Sequence, residues 1–177
     1  MLRTRPELVG VAVGLTFNEH LNSLFVREAL DSFGVPHGLV AMESLFGEQT
    51  QSLLPAENAD VLFDGPHDHE RWDVRWRHGQ VAVESFVFQP DAESGVIGDT
   101  LEEVKTATSR SRELCVIVSV KRGSRVSPMR RGYTFRPGDI AAVAVHTAER
   151  DAAVELLAAE GWVPIAPTGP TSTHPPV

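Results

Sequence analysis

The densest chemistry in the sequence is basic. Between residues 110 and 136 stand Arg110, Arg112, Lys121, Arg122, Arg125, Arg130, Arg131 and Arg136 against Glu113 alone, a net +7 in a chain whose formal net charge is −8. The other residues hold eight bases against 23 acids, a net −15. Guanidinium groups keep their charge and bond phosphate oxygens bidentately, so such an island suits a small phosphorylated ligand. The same side chains would equally serve to guard an exposed strand edge. The acidic remainder argues against binding DNA or RNA.

A second cluster, His67-Asp68-His69-Glu70, has the donor types of a metal site. On a strand, His-x-His would project both rings to one face. No third ligand stands at a defined distance, His78 being only the nearest candidate, and a solvated loop is the competing reading. Nucleophile arrangements fail: Ser127 sits beside Pro128 with no elbow glycines around it. The pair Glu102-Glu103 falls on an exposed helix turn with nothing to shift a carboxyl pKa. The residues therefore give no warrant for an enzyme. The single Cys115 lies in an apolar run and reads as a small buried hydrophobe, which fits a reducing cytoplasm.

These groups need elements to position them. Leu114–Val120 is a short apolar run rich in Val and Ile, a strand by length and composition. Gly123 supplies a turn, Arg125-Val126-Ser127 a return strand, and Pro128 its end. Arg136-Pro137-Gly138-Asp139 is a second turn, followed by a strand over 140–145 and a helix over 148–160. Earlier in the chain, residues 7–16 read as a buried strand. Asn18 is an N-cap for a helix over 19–33 that stops at Gly34. Strands are expected over 35–42 and 60–63, with a short helix over 43–54 between them. The first strand, helix and second strand form a βαβ unit, so those strands should be parallel. Trp72, Val74 and Trp76 alternate, then Val81, Val83 and Val87 follow His78-Gly79. This reads as a β-hairpin whose tryptophans pack in a core or interface. Residues 89–98 read as a linker, and a helix should begin near Asp99.

The ordered set Lys121-Arg122-Gly123, Val126-Ser127-Pro128, Pro137-Gly138-Asp139, strand and helix resembles the C-terminal subdomain of RCK (TrkA-type) regulatory domains of potassium channels and cation:proton antiporters. Thr16-Phe17-Asn18-Glu19-His20-Leu21-Asn22 is similar to the T-x-(N/D)-(D/E)-x-x-N segment in the second half of the Rossmann-like RCK N-terminal subdomain. No G-x-G-x-x-G occurs, so nicotinamide dinucleotides are not expected to bind. The resemblance implies an α/β (α+β) chain. A partial Rossmann-like subdomain with its β-hairpin would occupy residues 1–89. An RCK C-terminal-like mixed sheet with flanking helices would occupy 96–163, and a proline-rich disordered tail 164–177. It further implies a cytosolic, homodimeric regulatory domain of a monovalent cation transporter, either fused to a membrane-spanning segment or bound to one. Arg122, Arg125, Val126, Ser127 and Pro128 would lie near a pocket for a nucleotide such as cyclic di-AMP. Arg130 and Arg131 are added to that site on charge. A ligand-free dimerisation adaptor is the alternative, and a metal sensor using His67 and His69 a third.

Overall fold

The computed structural model describes residues 10–42, 54, 57–63, 65, 67–90 and 113–166. The expected helix over 43–54 except Leu54, the expected helix over 99–104, the linker beyond Pro90, the start of the first strand and the tail after residue 166 lie outside the described residues, as do Arg110 and Arg112. The chain divides into two compact units. One comprises Met1–Gly79 with Pro128–Tyr133, the other Gln80–Ser127 with Thr134–Val177.

The first unit holds a parallel sheet of three short strands in the order β1 (Ala12–Gly14), β2 (Gly38–Val40), β3 (Ala59–Val61). Helix α1 (Glu19–Phe33) joins β1 to β2, as the 3.6-residue spacing of its apolar positions predicts. The Asn18 side chain caps it by accepting the Leu21 N–H at 3.1 Å. Gly34 ends it in the left-handed region at φ 64°. Val26, Ala29 and Leu30 are its buried apolar residues: Val26 and Leu30 pack with Val40, Met42, Ala59 and Val61, and Ala29 with Ala12 and Val35. Each such aliphatic side chain contributes roughly 1.5–3 kcal/mol by leaving water. Two glycines permit the close approach. A Cβ on Gly14 would stand 2.7 Å from the Asn22 carbonyl oxygen, and one on Gly38 would overlap Val26. Residues 129–131 return to this unit and run antiparallel beside the end of β3, with Phe63 N–H donating to the Met129 carbonyl and Arg131 N–H to that of Val61.

The expected Trp72 hairpin does not form. Residues His69–Arg77 are helix α2, and Gly79 follows it at φ 67°. The alternation of Trp72, Val74 and Trp76 pointed to a strand, but local helix chemistry prevails. Asp68 caps the helix by accepting the Arg71 N–H at 2.9 Å. Arg75 lies 5.2 Å over the Trp72 ring, three residues back, and Arg77 pairs with Asp73 at 2.6 Å, four residues back. Trp76 and Val74 stay exposed rather than packing in a core.

The second unit is a five-stranded sheet in the order β6-β5-β7-β4-β8. Its strands are β4 (Val81–Phe88), β5 (Cys115–Arg122), β6 (Arg125–Pro128), β7 (Ile140–His146) and β8 (Trp162–Pro164). The β4–β7, β5–β7 and β4–β8 ladders are antiparallel, where a mixed sheet was expected. Strand β4, grouped by the sequence reading with the N-terminal half, pairs along most of its length with β7. Only β8 went unforeseen. Pro164, assigned to the disordered tail, ends that strand, and Ile165 N–H donates to the Ser85 carbonyl at 2.8 Å. A 3₁₀ turn over Thr147–Glu149 leads into helix α3 (Arg150–Ala159), whose Ala153 and Leu157 pack on Phe86, Ala141, Val143 and Val145. Phe88, Phe135 and Trp162 close the core, with ring centroids 4.9–5.7 Å apart. The described chain is thus α+β, with two sheets. Among the described residues no helix is long and apolar enough to cross a membrane.

Candidate functional site

The segment Thr16–Asn22 connects β1 to α1, at the carboxyl end of a parallel strand. Asn22 is completely buried on the helix face that carries Val26 and Ala29. Its amide is fully used. Its Oδ1 accepts from the Thr16 N–H at 2.8 Å and from Thr16 Oγ1 at 2.7 Å, and its Nδ2 donates to the carbonyls of Thr16 at 3.0 Å and Ala41 at 3.1 Å. The spacing of Thr16, Asn18 and Asn22 therefore serves the backbone. Thr16 and Asn18 build the turn, and Asn22 ties the loops after β1 and β2 together. A buried amide with every group bonded specifies one arrangement, and an unbonded one would be costly. Its position at helical spacing from Val26 and Ala29 was the signal that this asparagine faces inward.

His67 and His69 are buried, not on a solvated loop and not on a strand. His69 opens α2, and its Nε2 lies 3.2 Å from the Met42 carbonyl oxygen. Burial, with the neighbouring His67 second, lowers the His69 pKa, so the ring is neutral near pH 7. Phe63 packs edge-on against His67 with centroids 5.5 Å apart, and its own backbone is left-handed at φ 64°, unusual for an aromatic residue. Among the described residues no three His, Cys, Asp or Glu side chains are grouped to hold a metal.

The basic island is shared between the two units. Arg122 and Arg125 belong to the second unit, Arg130 and Arg131 to the first. Arg130 pairs with Asp60 at 2.5 Å on the surface, a contact worth little in water. Arg131 is exposed. Arg122 forks onto Asp139, its Nε 2.7 Å from Oδ1 and its Nη2 2.6 Å from Oδ2, and Nη2 also donates to the Thr134 carbonyl at 2.9 Å. Asp139 is 2 % exposed and accepts a third bond from the Arg136 N–H at 2.9 Å. The Arg122 guanidinium first, and this backbone donor after it, hold the Asp139 carboxyl below its usual pKa against the opposing effect of burial. The turn's backbone is tied down as well, since Phe88 N–H donates to the Asp139 carbonyl and Gly138 N–H to that of Phe88.

The Lys-Arg-Gly strand end and the Pro-Gly-Asp turn are thus one bonded assembly, a partnership across 17 residues that neither motif reveals alone. Arg125 and Val126 are exposed on the hairpin, with Ser127 and Pro128 half-buried beside them. Cys115 is half-buried against the core. Compared with protein-family models, curated proteins and solved structures, the chain gives no match.

Proposed function

We propose that the chain is a regulatory, ligand-sensing domain of a monovalent cation transport protein, of the RCK type. One observation carries the reading. The two motif groups of its C-terminal part, Lys121-Arg122-Gly123 and Pro137-Gly138-Asp139, meet through the Arg122–Asp139 fork at the end of one hairpin. Such a junction is what a fold built around those motifs needs, and it explains why both occur in one chain. The Thr16–Asn22 strand-to-helix segment, with parallel strands on either side of α1, adds support.

The fork also narrows the ligand contacts. With Arg122 engaged by Asp139, recognition of an anionic nucleotide on this hairpin falls to Arg125, assisted by the Ser127 hydroxyl. Thermal-shift titration with cyclic di-AMP tests this, with cyclic di-GMP, ATP and NADH as comparison arms. A saturable rise in melting temperature with cyclic di-AMP, reduced at least tenfold in apparent affinity by Arg125→Ala, is expected. Wild-type protein indifferent to all four would leave the ligand-free adaptor as the better reading.

A further inference from the structure

The two helices of the first unit are attached by different means. Helix α1 buries Val26, Ala29 and Leu30. The buried residues of α2 are His69 and Arg75, while Trp72 is half-buried and Val74 and Trp76 are exposed. A helix in a protein owes most of its stability to a packed apolar face, and α2 buries no apolar side chain fully. A histidine stands in that place. The Met42 carbonyl, just past β2, accepts from the His67 N–H at 3.1 Å and lies 3.2 Å from His69 Nε2. A carbonyl only accepts, so the neutral ring carries its proton on Nε2, and acid adds a second at Nδ1. Phe63 leans on both rings, with centroids 5.5 Å and 6.1 Å away, and its left-handed backbone is held under strain there.

We propose that His69 is a proton-operated latch: neutral, it holds the start of α2 against the Met42 carbonyl, and protonated, it releases α2 while the rest of the unit stays folded. The inference rests on the geometry around Met42 and holds independently of the transport reading. A cation here would sit at the first residue of α2, at the positive end of the helix dipole, in a side chain that is buried. Among the described residues, the charged groups acting on it are Glu19 at the start of α1 and Asp68 before α2, both favouring the cation, and His67, opposing it. Burial is the largest effect and also opposes the charge, so the balance favours the neutral ring. The docked state is therefore complete above the ordinary value of 6.5 and is lost as pH falls below it. Release stays local because the core that α1 forms with Val40, Met42, Ala59 and Val61 contains no residue of α2. It also frees the backbone of Phe63 to leave the left-handed region.

The tryptophans report on it. Trp72 and Trp76 lie on α2, and the third, Trp162, lies in the core of the other unit. Fluorine NMR of the full chain labelled with fluorotryptophan, titrated from about pH 7.5 to about pH 4.5, follows all three. Proton–nitrogen spectra of the same samples follow the His69 ring. The Trp72 and Trp76 signals should move together with a midpoint below 6.5, matched by proton uptake at His69, while Trp162 holds still. His69→Gln, which keeps an amide donor for Met42 without a titrating ring, should abolish the movement. His78→Gln, exposed at the end of α2, should leave it unchanged. Signals from α2 that never move across this range would overturn the proposal, and so would three tryptophans moving as one. A transition that His69→Gln retains or His78→Gln abolishes would overturn it too. Should His69→Gln fail to fold, the wild type decides: a His69 ring that takes up its proton with α2 still docked contradicts the latch, and coincident midpoints support it.

Discussion

Asn22 in the first unit and Asp139 in the second occupy comparable places and use different chemistry. Each is a buried polar side chain making three or more hydrogen bonds, and each fastens a turn to its neighbours. Asn22 does so with a neutral amide, so its contribution is indifferent to pH. Asp139 does so as an anion against a guanidinium, so its contribution is conditional on ionisation. Both sit in the segments that carry the family resemblance, and both are satisfied by the chain itself. The motifs therefore speak first to how the chain folds, and the exposed groups beside them are what the proposed ligand would meet.

Breaking each junction sharpens the contrast. Asp139→Ala should cost most, about 3 kcal/mol, because it strands a partly buried guanidinium and frees the turn. Urea unfolding monitored by circular dichroism reads it directly. Asn22→Ala should cost about 2 kcal/mol by leaving the buried Ala41 carbonyl and the part-buried Thr16 N–H without their bonds. Asn18→Ala removes one cap and should cost about 1 kcal/mol. Arg130→Ala, losing a surface pair, should change the urea midpoint by less than about 0.5 kcal/mol equivalent.

Acid should separate the two units. His69 has a folded pKa below the usual 6.5, so the unfolded chain binds its proton more readily. Its stabilising effect is complete above pH 6.5 and is lost as pH falls below that value toward the folded pKa. Asp139 is the opposite type of group with the same direction of loss. Its folded pKa lies below 3.8, so its contribution is complete above 3.8 and disappears as pH falls through the folded value. Urea midpoints taken from pH 7.5 to 5.5 should therefore decline in the wild type and stay flatter in His69→Gln. Asp139→Asn should not flatten them in that range. An equal slope in wild type and His69→Gln would remove His69 from the account.

Much of the fold was legible where local signals agreed. Helix α1 announced itself by Asn18 at one end, Gly34 at the other and the spacing of Leu21, Leu24, Phe25, Ala29 and Leu30 between them. Strands β5 to β7 followed from apolar runs cut by Gly123, Pro128 and Gly138. Helix α2 was misread because two tryptophans at period two outweighed Asp68, Glu70 and the two arginines of its last turn, Arg75 and Arg77. Strand β8 is three residues long and ends in proline, so nothing local marks it; its pairing with β4 makes it a strand. The basic island reads as one site because its charges are close in sequence. The chain distributes them between two units and gives Arg122 and Arg130 carboxylate partners, Asp139 and Asp60, that lie 17 and 70 residues away. Such partnerships are tertiary and leave no trace in spacing.

The central claim is that this chain works on a cation transport protein. Mild crosslinking of the cells that make it, followed by capture with an antibody against the chain and mass spectrometry, tests that most directly. The account predicts recovery from the membrane fraction, with the chain continuous with or joined to a polytopic cation transporter. Recovery from the soluble fraction alone, with no membrane-spanning polypeptide attached, would contradict it.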